Sequence, residues 1–327
     1  MTGITGSSPP LVTVITPAYN VGKYVGEAVD SVLRQSFQDF EYLVVDDESS
    51  DDTAQVARAH AAGDPRFCLI SVKHGGVSAA RNAGIRESRG RYIALLDGDD
   101  RWRPRFLERQ VGLIESLPPD VGVVFCRVRS ILENGLPIKV HWLRTGRYDF
   151  DDFVVRNNPA GHGGILVRRS CFAEVGGFDE GLPFAEDLEM WLRIAERSAS
   201  PVLWASRHFL ADRRLRPDAM TRDTATAEPT LDELLATQVT KLRRHLAAEA
   251  YVRPALLALK YGSDAKRAKG WADTARSAGF GRLARSAAGR QLLLWDAMPG
   301  PVRRAVRGTQ ERARSTVKRA VAQLHFS

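Results

Sequence analysis

A doubly wound, mostly parallel α/β sheet with flanking helices, followed by a basic helical extension, is the fold class this sequence predicts. Three observations predict it. From residue 11 onward, short β-branched runs alternate with segments whose apolar residues recur at helical spacing, the order expected of strands joined by crossover helices. The runs LVTVI and YLVV are continuously apolar, as strands covered on both faces are. The residues directly after the strand runs, PAYN at 17–20, DDESSDD at 46–52, KHGG at 73–76 and DGDD at 97–100, are polar or glycine-rich. Ligands of open parallel sheets bind beyond the carboxyl ends of the strands.

The elements follow in order. LVTVIT is the first strand; Val25, Ala28, Val29 and Val32 then recur at i, i+3, i+4 and i+7 as one buried helix face. EYLVVDD is the second strand, 51–62 a helix opened by acidic residues, FCLISV the third strand, 78–88 a helix and RYIALLD the fourth strand. A helix over 105–116 leads into a further strand, VGVVFCRV. The stretch 134–164 reads as loop-rich, with NNPAGHGG its most glycine-rich part. Helical periodicity returns in EDLEMWLRIAE, where Leu188, Trp191, Leu192 and Ala195 share a face, so Trp191 is expected in the core. Beyond about Pro217, Ala, Arg and Leu dominate, and helices are expected over 231–251, 253–261, 265–277, 281–294 and 301–324. The division is a disordered N-terminus at 1–10, an α/β domain at 11–220 and a helical basic extension at 221–327.

Composition excludes several classes. With 44% hydrophobic and 26% charged residues over 327 positions the chain is globular, neither collagenous nor broadly disordered. Cys68, Cys126 and Cys171 lie far apart in apolar stretches with no CxxC pair, which reads as reduced, buried thiols of a cytoplasmic protein. The start, MTGITGSSPP, has neither a basic nor an apolar leader region, and no apolar run reaches about 18 residues; neither export nor a membrane span is expected. Charge is unevenly spread: residues 225–327 carry 19 Lys and Arg against 8 Asp and Glu, a net of +11, so the total of +8 leaves −3 for the first 224. An acidic body thus carries a basic tail.

Four segments in order, VTVITPAYN, EYLVVDDESSDDT, GGVSAARNAGIRESRGRYIALLDGDDRW and VGGFDEGLPFAEDLEMWLR, resemble the motifs of the family 2 glycosyltransferases. The resemblance spans roughly residues 10–220, leaves the tail outside, and implies the GT-A fold and an inverting transfer of sugar from a nucleotide-sugar donor.

DGDD can be argued on chemistry as well. Mutual repulsion makes three neighbouring carboxylates costly unless a cation or water lies among them. Read as i and i+2 of an extended segment, Asp97 and Asp99 emerge on one side and can serve one metal; Mg²⁺ or Mn²⁺ takes hard oxygen ligands and neutralises a departing diphosphate. The alternative is a solvated acidic turn. The resemblance implies that Asp99 is the direct metal ligand, that Asp97 lies near the donor ribose, and that Asp100 orients the site. It also implies that Asp47 meets the nucleotide base, with Pro17 and Tyr19 as walls. Asp51 and Asp52 read as helix-start carboxylates, and Ser49 and Ser50 as turn formers. Arg81, early in a helix that follows KHGG, suits phosphate, an exposed surface arginine being the alternative.

By resemblance Asp187, at a helix start after the GLPFA loop, deprotonates the acceptor hydroxyl, although acidic residues also favour helix starts for capping and the helix dipole should lower its pKa. Glu186 is its neighbour with a less definite role. His162 is left out of the catalytic set, and the RRLRPDAM stretch matches the arginine segment that closes such sites only loosely, so Arg213, Arg214 and Arg216 are not placed in the site.

The expected cofactor is Mn²⁺ or Mg²⁺. The expected partners are a nucleotide-sugar donor, a UDP-sugar first, a carbohydrate or lipid-linked acceptor, and an anionic membrane surface for the tail, giving a cytoplasmic protein peripheral to the inner membrane face. A nucleotidyltransferase would carry a glycine-rich, lysine-bearing loop after the first strand, and PAYNVGKY is not one. Nucleic acid is not expected, because Trp271, Phe280 and Trp295 form no regular stripe among the basic residues.

Overall fold

The structure, a computed structural model, describes residues 8–141, 144–150 and 163–216. The first half alternates as predicted: β1 (Val12–Ala18), α1 (Gly22–Leu33), β2 (Phe40–Asp46), α2 (Thr53–Ala61), β3 (Phe67–Ser71), α3 (Gly76–Glu87) and β4 (Tyr92–Leu95). Every residue of β1, β2 and β4 is buried, which accounts for their unbroken apolar runs. β3 is at the sheet edge and only partly buried, so Cys68 is half-exposed while Cys126 and Cys171 are buried as expected; all three are free thiols. α1 turns Val25, Ala28, Val29 and Val32 into the core.

The second half is β5 (Arg101–Trp102), α4 (Phe106–Ser116), β6 (Val121–Ile131), β7 (Pro137–His141), β8 (Gly146–Tyr148), β9 (Ile165–Arg168), α5 (Arg169–Val175), α6 (Glu186–Arg197) and β10 (Val202–Arg214). The described strands form one sheet in the order β3-β2-β1-β4-β9-β6-β10-β5, with β7 on β6 and β8 on β10. β1 to β4 pair in parallel, β9 enters antiparallel between β4 and β6, and β10 runs parallel to β6. Trp191 is fully buried on α6.

The loop-rich stretch 134–164 also holds β7 and β8, two short antiparallel strands that were not predicted. The 13-residue β10 was not predicted either. Its ASRHFLADRR stretch mixes charge into the strand, and that charge is neutralised by partners far away in sequence: buried Asp212 accepts from Arg129 (Nε, 2.8 Å) and Arg101 (Nε, 3.2 Å). The helices expected beyond 217, His162, and the extension at 221–327 lie outside the described residues.

Candidate active site

Four strand-end loops meet on one edge. After β2, Asp47 is buried, and its carboxylate accepts the amides of Gly75 and Gly76 at 2.9 Å each and lies 2.9 Å from His74 Nδ1. Gly76 has φ +85°, a conformation that glycine adopts without cost, and its amide is thereby turned onto Asp47 as α3 begins. The His74 ring stacks on Tyr19 with centroids 4.2 Å apart. Tyr19 is 46% exposed and Pro17 is buried in β1, so of the two expected walls Tyr19 is the accessible one. Asp51 is a helix-start carboxylate, accepting the Thr53 and Gly22 amides at 3.0 Å, whereas the Asp52 side chain makes no capping bond. Ser49 Oγ accepts the Asn20 amide, a turn role.

DGDD is a turn rather than an extended segment: the Asp100 amide donates to the Asp97 carbonyl at 3.0 Å. Strand alternation therefore does not explain how Asp97 and Asp99 are aimed; their partners do. Asp97 accepts Arg81 Nη2 at 2.8 Å, and Asp99 lies 3.0 Å from Arg216 Nε. Asp100 is buried and accepts the Arg214 amide at 2.8 Å. Burial, with like charge from Asp99 and Asp97, pushes the Asp100 carboxyl well above its usual range. Arg214, fully buried, donates to the Asp99 carbonyl at 3.0 Å and to Glu27 at 2.8 Å, tying the turn to α1.

Arg81 joins the DGDD turn to α6. Its guanidinium donates to Asp97 and, at 2.8 Å, to Glu186 Oε1, and it lies 5.3 Å from the Phe178 ring centre. Asn82, next to Arg81 on α3, ties that helix to the loop before α6: it donates to the Phe178 carbonyl at 2.9 Å and accepts the Phe178 amide at 2.7 Å. Arg193 holds the base of that loop through the Val175 and Gly177 carbonyls. Ala185, the N-cap residue just before α6, is a non-glycine residue at φ 61°, a costly conformation of the kind that gathers at functional sites. Just after it, Asp187 is half-buried and accepts the Leu188 amide at 2.6 Å. Burial, then the Glu186 charge, pushes its carboxyl up to about 7, outweighing Arg81. The helix start was expected to lower this pKa; burial and the Glu186 charge act in the opposite direction.

The profile "Glycosyl transferase family 2" matches residues 13–176, from β1 through α5, which takes in the PAYN, DDESSDD, KHGG and DGDD loops and stops short of Asp187. The chain belongs to this family. Among the relatives of this family 2 chain, an uncharacterised glycosyltransferase of Rickettsia prowazekii is 31% identical over 193 residues, 56% of this chain and 58% of the relative. Chondroitin synthase of Escherichia coli is 31% identical over 57% of this chain and 27% of its own length. The putative teichuronic acid biosynthesis glycosyltransferase TuaG of Bacillus subtilis is 28% identical over 58% and 73%. The chain thus spans less than two thirds of several relatives it matches. In fold it resembles the GT-A enzymes: Staphylococcus aureus TarS in complex with UDP-GlcNAc (TM-score 0.62, 18% identity, 80% of this chain and 79% of that one) and the mannosyltransferase PcManGT of Pyrobaculum calidifontis in complex with GDP-Man and Mn²⁺ (TM-score 0.53, 20% identity, 93% and 85%).

Among the described residues of the family 2 chain, no group of three or more His, Cys, Asp or Glu gathers as a closed metal cage, and no helix is long and apolar enough to cross a membrane. Two carboxylates on one turn fit Mg²⁺ or Mn²⁺, which take one or two carboxylates and complete their shell with substrate oxygens. His74, Arg214 and Arg216 are site residues that the sequence reading left out. Their signal was present for the arginines: Asp212, Arg214 and Arg216 alternate at i, i+2 and i+4, as one face of a strand continuing past its paired end.

Proposed function

We propose that this chain is a metal-dependent inverting glycosyltransferase that moves a sugar from a nucleoside-diphosphate sugar to a hydroxyl acceptor in the synthesis of a cell-surface polysaccharide, glycolipid or glycoconjugate. The observation that carries the reading is the Arg81 bridge, which brings the DGDD turn and the start of α6 to one sheet edge. Relatives named for chondroitin and teichuronic acid synthesis support the polysaccharide context.

In this reading the nucleotide base stacks beside Tyr19 and His74, with Asp47 holding the KHGG loop that faces it. Mn²⁺ or Mg²⁺, held by Asp99 with Asp97 toward the ribose, would offset the charge of the departing diphosphate. Arg81 keeps Asp97 and Glu186 fixed, and its guanidinium is committed to those two carboxylates. Asp187 takes the acceptor proton as the hydroxyl attacks the anomeric carbon from the side opposite the leaving diphosphate. A carboxyl pushed up to about 7 suits a base working near neutral pH. The basic tail rests on an anionic membrane surface, at roughly 1 kcal/mol per well-placed basic residue.

A thermal-shift screen of UDP, GDP and dTDP with and without Mn²⁺ tests the reading, because a ligand of the native state alone raises apparent stability. At least one diphosphate should raise the melting temperature only with metal present. No response to any of them would set the reading aside.

A further inference from the structure

A cavity of about 410 Å³ opens between α4 and β10, outside the edge that carries DGDD. The strand register locates it. Leu95 at the end of β4 pairs with Ile165 of β9, Ile165 with Phe125 of β6, and Phe125 with Ala205 of β10. The cavity therefore lies level with the strand end that leads to Asp97, three strands away, roughly 14 Å at the usual strand spacing. β10 is irregular here: its register on β6 shifts between Ala205 and Phe209 and again between Phe209 and Ala211. Such bulges re-aim side chains, and Ser206, Arg207 and His208 of this one line the cavity opposite Arg109 of α4.

The lining is cationic. Arg109 and Arg207 are exposed and carry no ion pair or side-chain hydrogen bond among the described residues. Glu108, the carboxylate of the lining, is engaged by Arg105 and accepts Ser36 Oγ at 2.7 Å. His208 reports the imbalance: burial and the guanidiniums of Arg109, Arg207 and Arg127 hold its ring below the ordinary pKa, and every charge acting on it is positive. Guanidiniums alone would suit any anion. The partly exposed indole of Trp204 and the hydroxyls of Thr145 and Ser206 in the same lining add a flat apolar wall and short polar groups, the mixture that recognises a ring with one C–H face and hydroxyl edges. The volume lies within the range of small-ligand sites.

We propose that this cavity is a second carbohydrate site that binds an acidic sugar residue, its carboxylate on Arg109 and Arg207 and its ring against Trp204. Guanidiniums recognise carboxylate and phosphate alike with direction as well as charge, and the Trp204 wall beside them favours an anion carried on a sugar ring over phosphate alone. The site holds a glycan chain a few sugars from the transfer edge. That use rests on the glycosyl-transfer reading, whereas the binding itself does not.

Calorimetric titration of the full chain, with neither nucleotide nor metal present, tests it with three probes: a glucuronate-containing hyaluronan tetrasaccharide, a neutral chitin tetrasaccharide and inorganic phosphate. The acidic tetrasaccharide should bind, and its affinity should fall at least tenfold in the Arg109→Ala/Arg207→Ala double variant and in Trp204→Ala. The neutral tetrasaccharide and phosphate should bind at least tenfold more weakly than the acidic one. Failure of the wild type to bind the acidic probe, or equal affinity in the double variant, overturns the proposal. Phosphate binding as tight as the saccharide would make this a simple anion site and overturn it as well. Arg109 and Arg207 are exposed, so the double variant keeps the test open if Trp204→Ala does not fold. A negative diphosphate screen beside positive saccharide binding would count against the transfer reading alone.

Discussion

Arg81 Nη1 lies 2.8 Å from Glu186 Oε1 while Nη2 of the same guanidinium lies 2.8 Å from Asp97 Oδ1. One buried cation thus holds the turn assigned to the donor and the helix assigned to the base. Burial works against its charge, but Asp97 and Glu186 outweigh that and raise its pKa. Arg81→Gln should therefore cost about 3 kcal/mol of stability, the low end for a broken buried pair because Asp97 is partly solvated. Arg81 also lowers the Asp187 pKa, so any residual transfer in Arg81→Gln should need a higher pH than in the wild type. Denaturant unfolding and a pH profile measure the two effects separately.

Asp187→Asn should lower transfer by about 10² or more while donor binding persists, the usual scale for a positioned base. Its effect on stability has a definite sign. The folded-state carboxyl, at about 7, lies above its ordinary value of 3.8, so the native state binds this proton more tightly than the unfolded chain. The group's contribution to stability falls as pH rises between those two values and stays reduced above them. Asn removes that penalty, so the variant should melt higher than the wild type at pH 8 and lose the advantage near pH 4. Equal melting at both pH values would contradict the burial argument.

For the wild type the same carboxyl must be ionised to take a proton, so transfer should rise with pH through about 7. A pH profile of kcat/KM with saturating metal checks this. A profile flat from pH 5 to 8 would move the base elsewhere, with Glu186 the next carboxylate to replace.

Asp47→Ala strands the amides of Gly75 and Gly76, each of which now donates to that carboxylate at 2.9 Å. Gly75 is exposed and Gly76 half-buried, so water takes over part of the lost bonding and the cost should be about 1 kcal/mol, and the Tyr19–His74 stack should loosen with the loop. Nucleotide affinity is expected to fall tenfold or more, with metal dependence retained in whatever binding remains. Calorimetry at two metal concentrations distinguishes this from loss of the metal itself.

Truncation after Gly300 removes Arg303, Arg304, Arg307, Arg312, Arg314, Lys318 and Arg319. Retention on vesicles rich in anionic lipid should fall sharply while donor hydrolysis is unchanged. Equal vesicle binding by the full-length and truncated chains would remove the membrane role.

The legible part of the fold was the part whose signals are local. β1, β2 and β4 are buried on both faces and spell apolar runs, and α1 repeats Val and Ala at helical spacing. β9 and β10 were missed because β9 runs straight into α5 with no intervening turn to mark its end and because the polar residues of β10 are satisfied across the sheet, Asp212 by Arg101 and Arg129. In the site, residue types and a strand-end position pointed to DGDD, and the family resemblance pointed to Asp47 and Asp187. Their electrostatics were not legible. The raised Asp187 pKa comes from burial and from Glu186 held beside Arg81, and Arg81 lies over a hundred positions away in sequence. The Arg216–Asp99 contact likewise depends on β10 running parallel to β6, a pairing no local pattern announced.

The most direct test of the central claim, a metal-dependent nucleotide site at DGDD, is calorimetric titration of the diphosphate selected by the screen into wild type and Asp99→Asn, each with and without Mn²⁺. The wild type should bind only with Mn²⁺. Asp99→Asn should melt as a folded protein yet show no metal-dependent binding. Undiminished Mn²⁺-dependent binding by folded Asp99→Asn would contradict the account.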